Sequence, residues 1–575
     1  MRSTNLRVWA PGAAQVDVEI DGRRHSMASG ERGWWTADVE ASPGAMYGFC
    51  LDGGGALPDP RSAWQPDGVH GLSRLVDHTE FTWRADGWRG RELLGRLVYE
   101  LHIGTFTAAG TFEAATERLD HLVDLGVDFV EILPVAAFPG RHGWGYDGAL
   151  PYAVQDSYGG PDGLKQFVDG CHDRGLGVIL DVVYNHLGPD GNVLPAFGPY
   201  FTDFFSTPWG QALNYCGAGS DEVRRYIIDN ALMWLRDYRI DGLRLDAVQA
   251  ILDTSATHLL EELAVEVSAL SDEVGRPLAL VAESDLNDPR LITTREAGGY
   301  GLDAQWSDDF HHALHAVVTR ESFGYYEDFG SLSQLATALT RGYVYAGEYS
   351  RHRNRRHGRP LPASVTGHRL LGYAQDHDQI GNRAAGERLS ALVSPELVKV
   401  AAALVLTAPF TPMLFMGEEW AASTPWQYFT NHEDPELAEA VRAGRRGEFK
   451  AFGWKHEDVP DPQHPTTIER STLKWDELEV APHADVLAWY RELIALRRSR
   501  LDLADGRFDQ IEVDFDEEER WLVVRRPSTV VAVNLATRPR ALEIQATSVL
   551  LASTDVELRA SIVTLRPESV AILAR

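Results

Sequence analysis

Over the first 88 residues apolar and polar positions alternate with a period of two. Val8-Trp9-Ala10-Pro11 leads into Val16, Val18 and Ile20, and Asp21-Gly22 and Asp52-Gly53 mark turns. The pattern closes on the aromatic stretch from Phe81-Thr82-Trp83 to Trp88 and predicts a small β-sandwich at 1–88, carbohydrate-module-like, followed by a linker. From Leu97 the pattern changes. Short continuous apolar runs bounded by Gly or Pro alternate with segments of helical period, such as Val223, Ile227, Ala231 and Leu235. The runs are Leu97–Leu101, Phe129–Leu133, Val178–Val183, Leu243–Asp246, Leu278–Glu283, Leu302–Trp306, Leu370–Ala374 and Met413–Met416. Buried-strand runs separated by amphipathic helices predict an α/β protein, a (β/α)8 barrel over 89–500 rather than an open doubly wound sheet. The Gly-, Pro- and aromatic-rich stretch at 187–220 is expected as an excursion after the third strand. Beyond a helix around Val486–Leu496, alternation returns at Trp521–Val524 and Val530–Leu535 and predicts a second β-sandwich at 501–575.

Composition narrows the function classes. A chain of 575 residues with 44% apolar and 24% charged residues is globular and too long for one core. Its net charge of −30 repels nucleic acid and anionic membrane and leaves a neutral ligand unaffected. The longest apolar stretch, Val400 to Met416, is broken by Pro409 and Pro412 and falls short of the ~20 residues of a membrane span. Three cysteines (Cys50, Cys171, Cys216) build no disulfide framework and include no CxxC pair, and the first residues carry no apolar run. A reducing, cytoplasmic location is the expectation. The histidines lack metal-binding spacing of the HExxH type, so no metal is expected. Sixteen Trp and nineteen Tyr suit stacking on sugar rings, although core packing accounts for most of them taken singly.

The candidate chemistry lies where the strand runs end, because the carboxyl ends of barrel strands open onto one face. The third run ends in Asp181-Val182-Val183-Tyr184-Asn185-His186, the fourth reads Gly242-Leu243-Arg244-Leu245-Asp246, the fifth ends in Glu283, and His377-Asp378 follows the seventh. One terminal carboxylate is an ordinary helix cap; three of them beside two histidines and an arginine are hard to explain by capping. Arg244 lies two residues before Asp246, so the two share a strand face, and a cation there favours the ionised carboxylate that a nucleophile requires. Glu283 follows Leu278-Ala279-Leu280-Val281-Ala282, an apolar setting that raises a carboxyl's pKa and keeps it protonated until it donates. Such a pair suggests glycoside chemistry, with Asp378 stabilising positive charge on the sugar ring and His186 and His377 bonding its hydroxyls. Asp308-Asp309 reads equally as a helix N-terminus or a substrate contact. Tyr325-Tyr326 reads as a sugar platform or as core packing, and Arg351–Arg356 as a solvated loop at the cleft.

These four segments resemble the four signature regions of the α-amylase family of retaining glycosidases and transglycosidases, and the resemblance covers nearly the whole chain. Val8-Trp9-Ala10-Pro11 resembles the N-terminal sandwich of its branching and debranching members. The resemblance implies Asp246 as nucleophile, Glu283 as acid/base and Asp378 as transition-state stabiliser. It also implies Tyr146, within Trp144-Gly145-Tyr146-Asp147, as the aromatic platform under the sugar in subsite −1. Asp376 departs from the pattern, since many members have Asn directly before His-Asp. Gln65–Gly71, Glu283–Arg290, Ala304–His312 and Phe415–Trp420 resemble the trehalose-releasing members in particular. The implied reaction is hydrolysis of the α-1,4 bond that joins a maltodextrin to a terminal trehalose. The implied substrate contacts come from Arg244, Leu245, Ala247, Val248 and Gln249, from Asp308, Asp309, Phe310, His311 and His312, and from His377, Gln379, Ile380, Gly381 and Asn382. No cofactor is implied, and the substrate would come from a maltooligosyltrehalose synthase without a stable complex. A 1,4-α-glucan branching enzyme, or a related glucan-transferring enzyme, is the alternative. A non-catalytic glucan-binding protein is disfavoured by the intact Asp246, Glu283 and Asp378.

Overall fold

Each apolar run forms a strand, and together they close a parallel barrel in the computed structural model, which describes residues 2–450 and 459–575. The strands are β1 (Val98–Leu101), β2 (Phe129–Ile132), β3 (Gly177–Val182), β4 (Gly242–Leu245), β5 (Ala279–Ala282), β6 (Ala304–Trp306), β7 (Leu370–Gly372) and β8 (Thr411–Phe415). They pair in sequence order, and β8 returns to β1 with Met413 opposite Val98. All are buried over their full length, as a sheet covered on both faces requires.

The outer layer consists of α1 (Leu119–Leu125), α2 (Gly160–Asp173), α3 (Ser220–Asp237), α4 (Leu259–Val274), α5 (Asp308–Thr319), α6 (Leu332–Arg341), α7 (Pro395–Thr407), α8 (Pro435–Lys450) and α9 (His483–Ser499). Val223, Ile227, Ala231 and Leu235 form the buried stripe of α3 that the sequence period anticipates. Local signals fix several ends. Ser394 accepts from the Leu397 N–H ahead of Pro395 in α7, and Ser331 with Gln334 builds a capping box on α6. The connection from β5 to β6 departs from the barrel rhythm: among the described residues it holds only a 3₁₀ turn at Arg295–Ala297. Pro289 and the glycines at 298, 299 and 301 deny it a helix.

A β-sandwich flanks the barrel on each side. At the N-terminal side Arg2–Trp9 pairs with Trp34–Ala41 in one sheet, and Val16–Ile20 pairs with Met46–Leu51 in the other. At the C-terminal side a five-stranded sheet centred on Thr529–Asn534 faces a three-stranded sheet centred on Ile562–Leu565, with Val530, Ala532, Val563 and Leu565 between them. Between β3 and α3 the chain makes a hairpin, Phe201–Thr207 with Gly210–Leu213. No helix among the described residues is long and apolar enough to cross a membrane.

Candidate active site

The carboxyl ends of β3, β4, β5 and β7 converge on one open cleft. Its floor is organised by Arg244, which is inaccessible to solvent (0% exposed). Nη1 donates to Asp181 Oδ2 at 2.7 Å and to Asp246 Oδ1 at 2.8 Å, and Nη2 lies 3.3 Å from Glu283 Oε2. The guanidinium lies over the Trp306 ring, 4.5 Å from its centroid. One buried cation therefore spans three carboxylates, which offsets the cost of desolvating it. Asn185 Nδ2 donates to the other Asp246 oxygen at 2.6 Å and to the Asp246 carbonyl at 2.8 Å. The chain then turns through Ala247 at φ 39°, an uncommon conformation for a residue with a Cβ. That turn aims the Ala247 N–H at Glu283 Oε2 (2.5 Å) and the Val248 N–H at the Glu283 carbonyl (3.0 Å).

The opposite wall begins at the short helical turn His377–Gly381, capped by Asp376, whose carboxylate accepts from the Gln379 N–H at 2.9 Å. Capping accounts for the acid at this position: Asp and Asn serve equally well as N-caps. His377 Nδ1 donates to Glu100 Oε1 at 2.5 Å, and Nε2 donates to the Tyr146 hydroxyl at 2.7 Å. That hydroxyl in turn donates to Asp181 Oδ2 at 2.6 Å. The Tyr146 and His377 rings stack, with centroids 5.2 Å apart and 15° between planes. Asp378 projects from this turn with its side chain 39% exposed, 3.6 Å from His377 Nε2 and within reach of Asn382.

The electrostatics separate the groups. Burial pushes the Glu283 carboxyl well above the ordinary carboxylate range; Arg244 opposes this, while Asp246, Asp378 and Asp308 reinforce it. Burial alone would lower His377, but Glu100 and Asp378 outweigh it and hold the imidazolium up to about 10, in keeping with its two donated bonds. His186 is lowered by burial. Asp308, whose Oδ1 accepts from the Tyr373 hydroxyl at 2.6 Å, is raised by burial to about 7.

The cleft is lined by Tyr146, His186, Asp246, Ala247, Gln249, Glu283, His377, Asp378 and Asn382 among the expected site residues. Others stand elsewhere. Phe310 is fully buried against Phe410 (centroids 4.8 Å apart), and Leu245 belongs to the hydrophobic core, so neither has a face open to a sugar. Val248 and Ile380 are likewise buried, and Gly381 is covered by Trp144, whose ring a Cβ there would meet at 2.0 Å. Gln379 borders Asp376 rather than the cleft lining. Asp308 and Asp309 open α5, so the helix N-terminus is one of their roles. Asp309 Oδ2 is taken up by Asn287 Nδ2 (2.7 Å) and by the N–H groups of Val344 (2.6 Å) and Tyr345 (2.9 Å). His311 and His312 are buried among Tyr326, Tyr373 and Tyr325. Arg351–Arg356 spans the turn of a hairpin and the start of its returning strand, Arg355–Gly358, and is anchored by Arg353 Nη2 on Asp285 at 2.7 Å. Sequence reasoning missed Trp209 at the tip of the hairpin after β3; it is 50% exposed and stacks on His186 with centroids 4.9 Å apart. It also missed Val441, Gly444 and Arg445 of α8, which line the cleft. Among the described residues no group of three or more His, Cys, Asp or Glu side chains is arranged to hold a metal ion.

The family model "Alpha amylase, catalytic domain" matches residues 81–194 and, with the relatives below, makes the closed barrel that of a glycoside hydrolase of the α-amylase type. Residues 506–572 match a domain of unknown function, DUF3459. The crystal structure of a candidate alpha amylase from Salmonella typhimurium superimposes with a TM-score of 0.90 at 37% identity, covering 100% of this chain and 97% of that one. A malto-oligosyltrehalose trehalohydrolase from Mycobacterium tuberculosis is 54% identical over 95% of both chains. Another, from Arthrobacter ramosus, is 56% identical over 92% of this chain and 93% of its own. The chain belongs to the malto-oligosyltrehalose trehalohydrolase family.

Proposed function

We propose that the protein hydrolyses the α-1,4-glucosidic bond between a maltodextrin and its terminal trehalose, releasing trehalose with retention at the anomeric carbon. The observation that carries the chemistry is the joint seating of Asp246 and Glu283 on Arg244. Seating on one guanidinium puts the two carboxylates at one point of the cleft floor, as a retaining pair about 5–5.5 Å apart requires. Asp246, positioned by the hydrogen bonds from Arg244 and Asn185, attacks the anomeric carbon. As that bond forms, the bond to the trehalose oxygen breaks, and protonated Glu283 gives this oxygen its proton. Glu283, now a carboxylate, takes a proton from water, which attacks the same carbon and frees Asp246. Asp378 faces the positive charge that develops on the ring, with Tyr146 beneath the sugar and His186 and His377 at its hydroxyls. The choice of bond is supported by the names of relatives that align over nine-tenths of the chain. On this reading the enzyme is cytoplasmic and acts after a maltooligosyltrehalose synthase without a stable complex.

Incubation with maltotriosyl trehalose, with products followed by NMR, tests the reading. Free trehalose should appear with the α-anomer of the maltodextrin formed first, and kcat/KM should far exceed that on maltopentaose. Equal kcat/KM on the two substrates, or α-1,6 branches formed from amylose, would favour the branching-enzyme alternative.

A further inference from the structure

The hairpin after β3 brings Trp209 into the cleft lining, while its body is only partly covered: Asp203, Phe204, Ser206 and Gly210 are exposed. It is held at two ends. The tip places Trp209 on His186, and the base rests on the N-terminal sandwich. At that base Trp9 is 4% exposed, donates from Nε1 to the Arg32 carbonyl at 2.9 Å, and meets the Tyr200 ring edge-on with centroids 5.2 Å apart. The chain enters and leaves the hairpin segment over the same indole. A Cβ at Gly198 would lie 2.9 Å from Trp9 Cζ3, and one at Gly219 would lie 3.8 Å from Cη2. Asn214 locks the two passages together, donating to the Pro199 carbonyl at 3.1 Å and the Ala218 carbonyl at 2.9 Å. Around this point the sandwich is fastened to the barrel by Trp34 Nε1 on Glu222 (3.0 Å), Arg61 on Asp229 (2.9 Å) and the Tyr226 hydroxyl on the Pro60 carbonyl (2.8 Å).

We propose that Trp9 is a positioning residue for the catalytic cleft, and that the N-terminal sandwich, through it, sets where the hairpin carries Trp209. A large rigid ring seated under two glycines is a fulcrum: removing it leaves a cavity that the hairpin base can settle into, and a small shift at the base is magnified at the tip. Trp9 itself is not among the residues that line the cleft. In its effect on substrate, the inference rests on the reading that the cleft binds an α-1,4-glucan.

The test compares Trp9→Ala, Trp9→Phe, Trp209→Ala and the double variant Trp9→Ala/Trp209→Ala in the full-length protein. Amide hydrogen exchange over residues 201–213 needs no substrate. It should quicken in Trp9→Ala while β1 to β8 keep wild-type protection, and return toward wild type in Trp9→Phe. Unchanged hairpin exchange in a folded Trp9→Ala protein overturns the proposal. With maltotriosyl trehalose, Trp9→Ala should raise KM about tenfold at nearly constant kcat, the scale expected of a displaced binding surface. The double variant should be no worse than Trp209→Ala alone, since the two act through one element. Additive losses, or a fall in kcat alone, overturn it. Should Trp9→Ala fail to fold, Trp9→Phe carries the same two readouts against wild type, with smaller expected changes in the same direction and the same overturning results. A wild-type protein inert on glucans would refute the proposed function while leaving the exchange result to decide this inference.

Discussion

Replacing Asp246 with Asn keeps the shape of the side chain but leaves one acceptor oxygen for two donors, Arg244 and Asn185, and removes the attacking carboxylate. The variant should fold with a somewhat lower Tm and lose turnover by at least ~10³-fold; activity near wild type would remove Asp246 from the nucleophile's role. Glu283→Gln should lose ~10²–10⁴-fold on maltooligosyl trehalose, and much less on a glycosyl fluoride, whose leaving group needs no proton. Equal losses on both would assign Glu283 elsewhere. The surroundings of Glu283 give a pH prediction. The group must be protonated to act, so activity falls as pH rises through its raised pKa. Asp308 is one of the negative charges that raise it, and Asp308 itself ionises at about 7. Removing that charge in Asp308→Asn lets Glu283 ionise sooner, so the alkaline limb of kcat/KM should move to lower pH. A limb that stays in place would mean that Asp308 is not felt at Glu283.

Helix α5 shows what a single element contributes. It begins with two acids at its N-terminus, where its dipole favours them, and buries three histidines among tyrosines. His312 is lowered to about 3 by burial, with Arg353 adding to the effect; His311 lies well below its usual range and His315 is lowered, burial being the largest cause in each. The folded state keeps these rings neutral while the unfolded chain takes up protons below about 6.5. Their contribution is thus intact above that pH and is lost as pH falls below it; for His312 the loss continues toward about 3, at up to ~1.4 kcal/mol per pH unit. Urea unfolding at pH 7 and pH 5.5 should show the loss, and His312→Phe should reduce its slope; an unaltered slope would show that His312 is charged in the fold. The same helix marks where sequence reading stops. The resemblance implies substrate contacts along the whole run Asp308–His312, but two steps along a helix turn a side chain by more than half a circle, so Phe310 faces the core while Asp308 faces Tyr373. Strand alternation acted likewise at β4. It put Arg244 and Asp246 on one face, as read, and for the same reason turned Leu245 to the other. The barrel strands were legible because each is a short apolar run with clear stops. Trp209 was not, because its meeting with His186 is made by the fold and not by neighbouring residues.

At the scale of the whole molecule, the seam between β1 and β8 governs when the fold can exist. Val98 pairs with Met413, so the barrel stays open until the chain has been made as far as β8. A chain ending at residue 410 lacks β8 and exposes the edges of both β1 and β7; it should aggregate at concentrations where the full chain stays clear in light scattering. A clear, monomeric truncated chain would show that the remaining strands can close without β8. During synthesis the same geometry acts as a clock. At roughly 5–20 residues per second, the stretch between the two halves of the seam takes on the order of 15–60 s to emerge. For all of that time the edge of β1 that β8 will cover has no partner strand, so keeping that edge from pairing with another chain is a requirement separate from the final stability of the barrel.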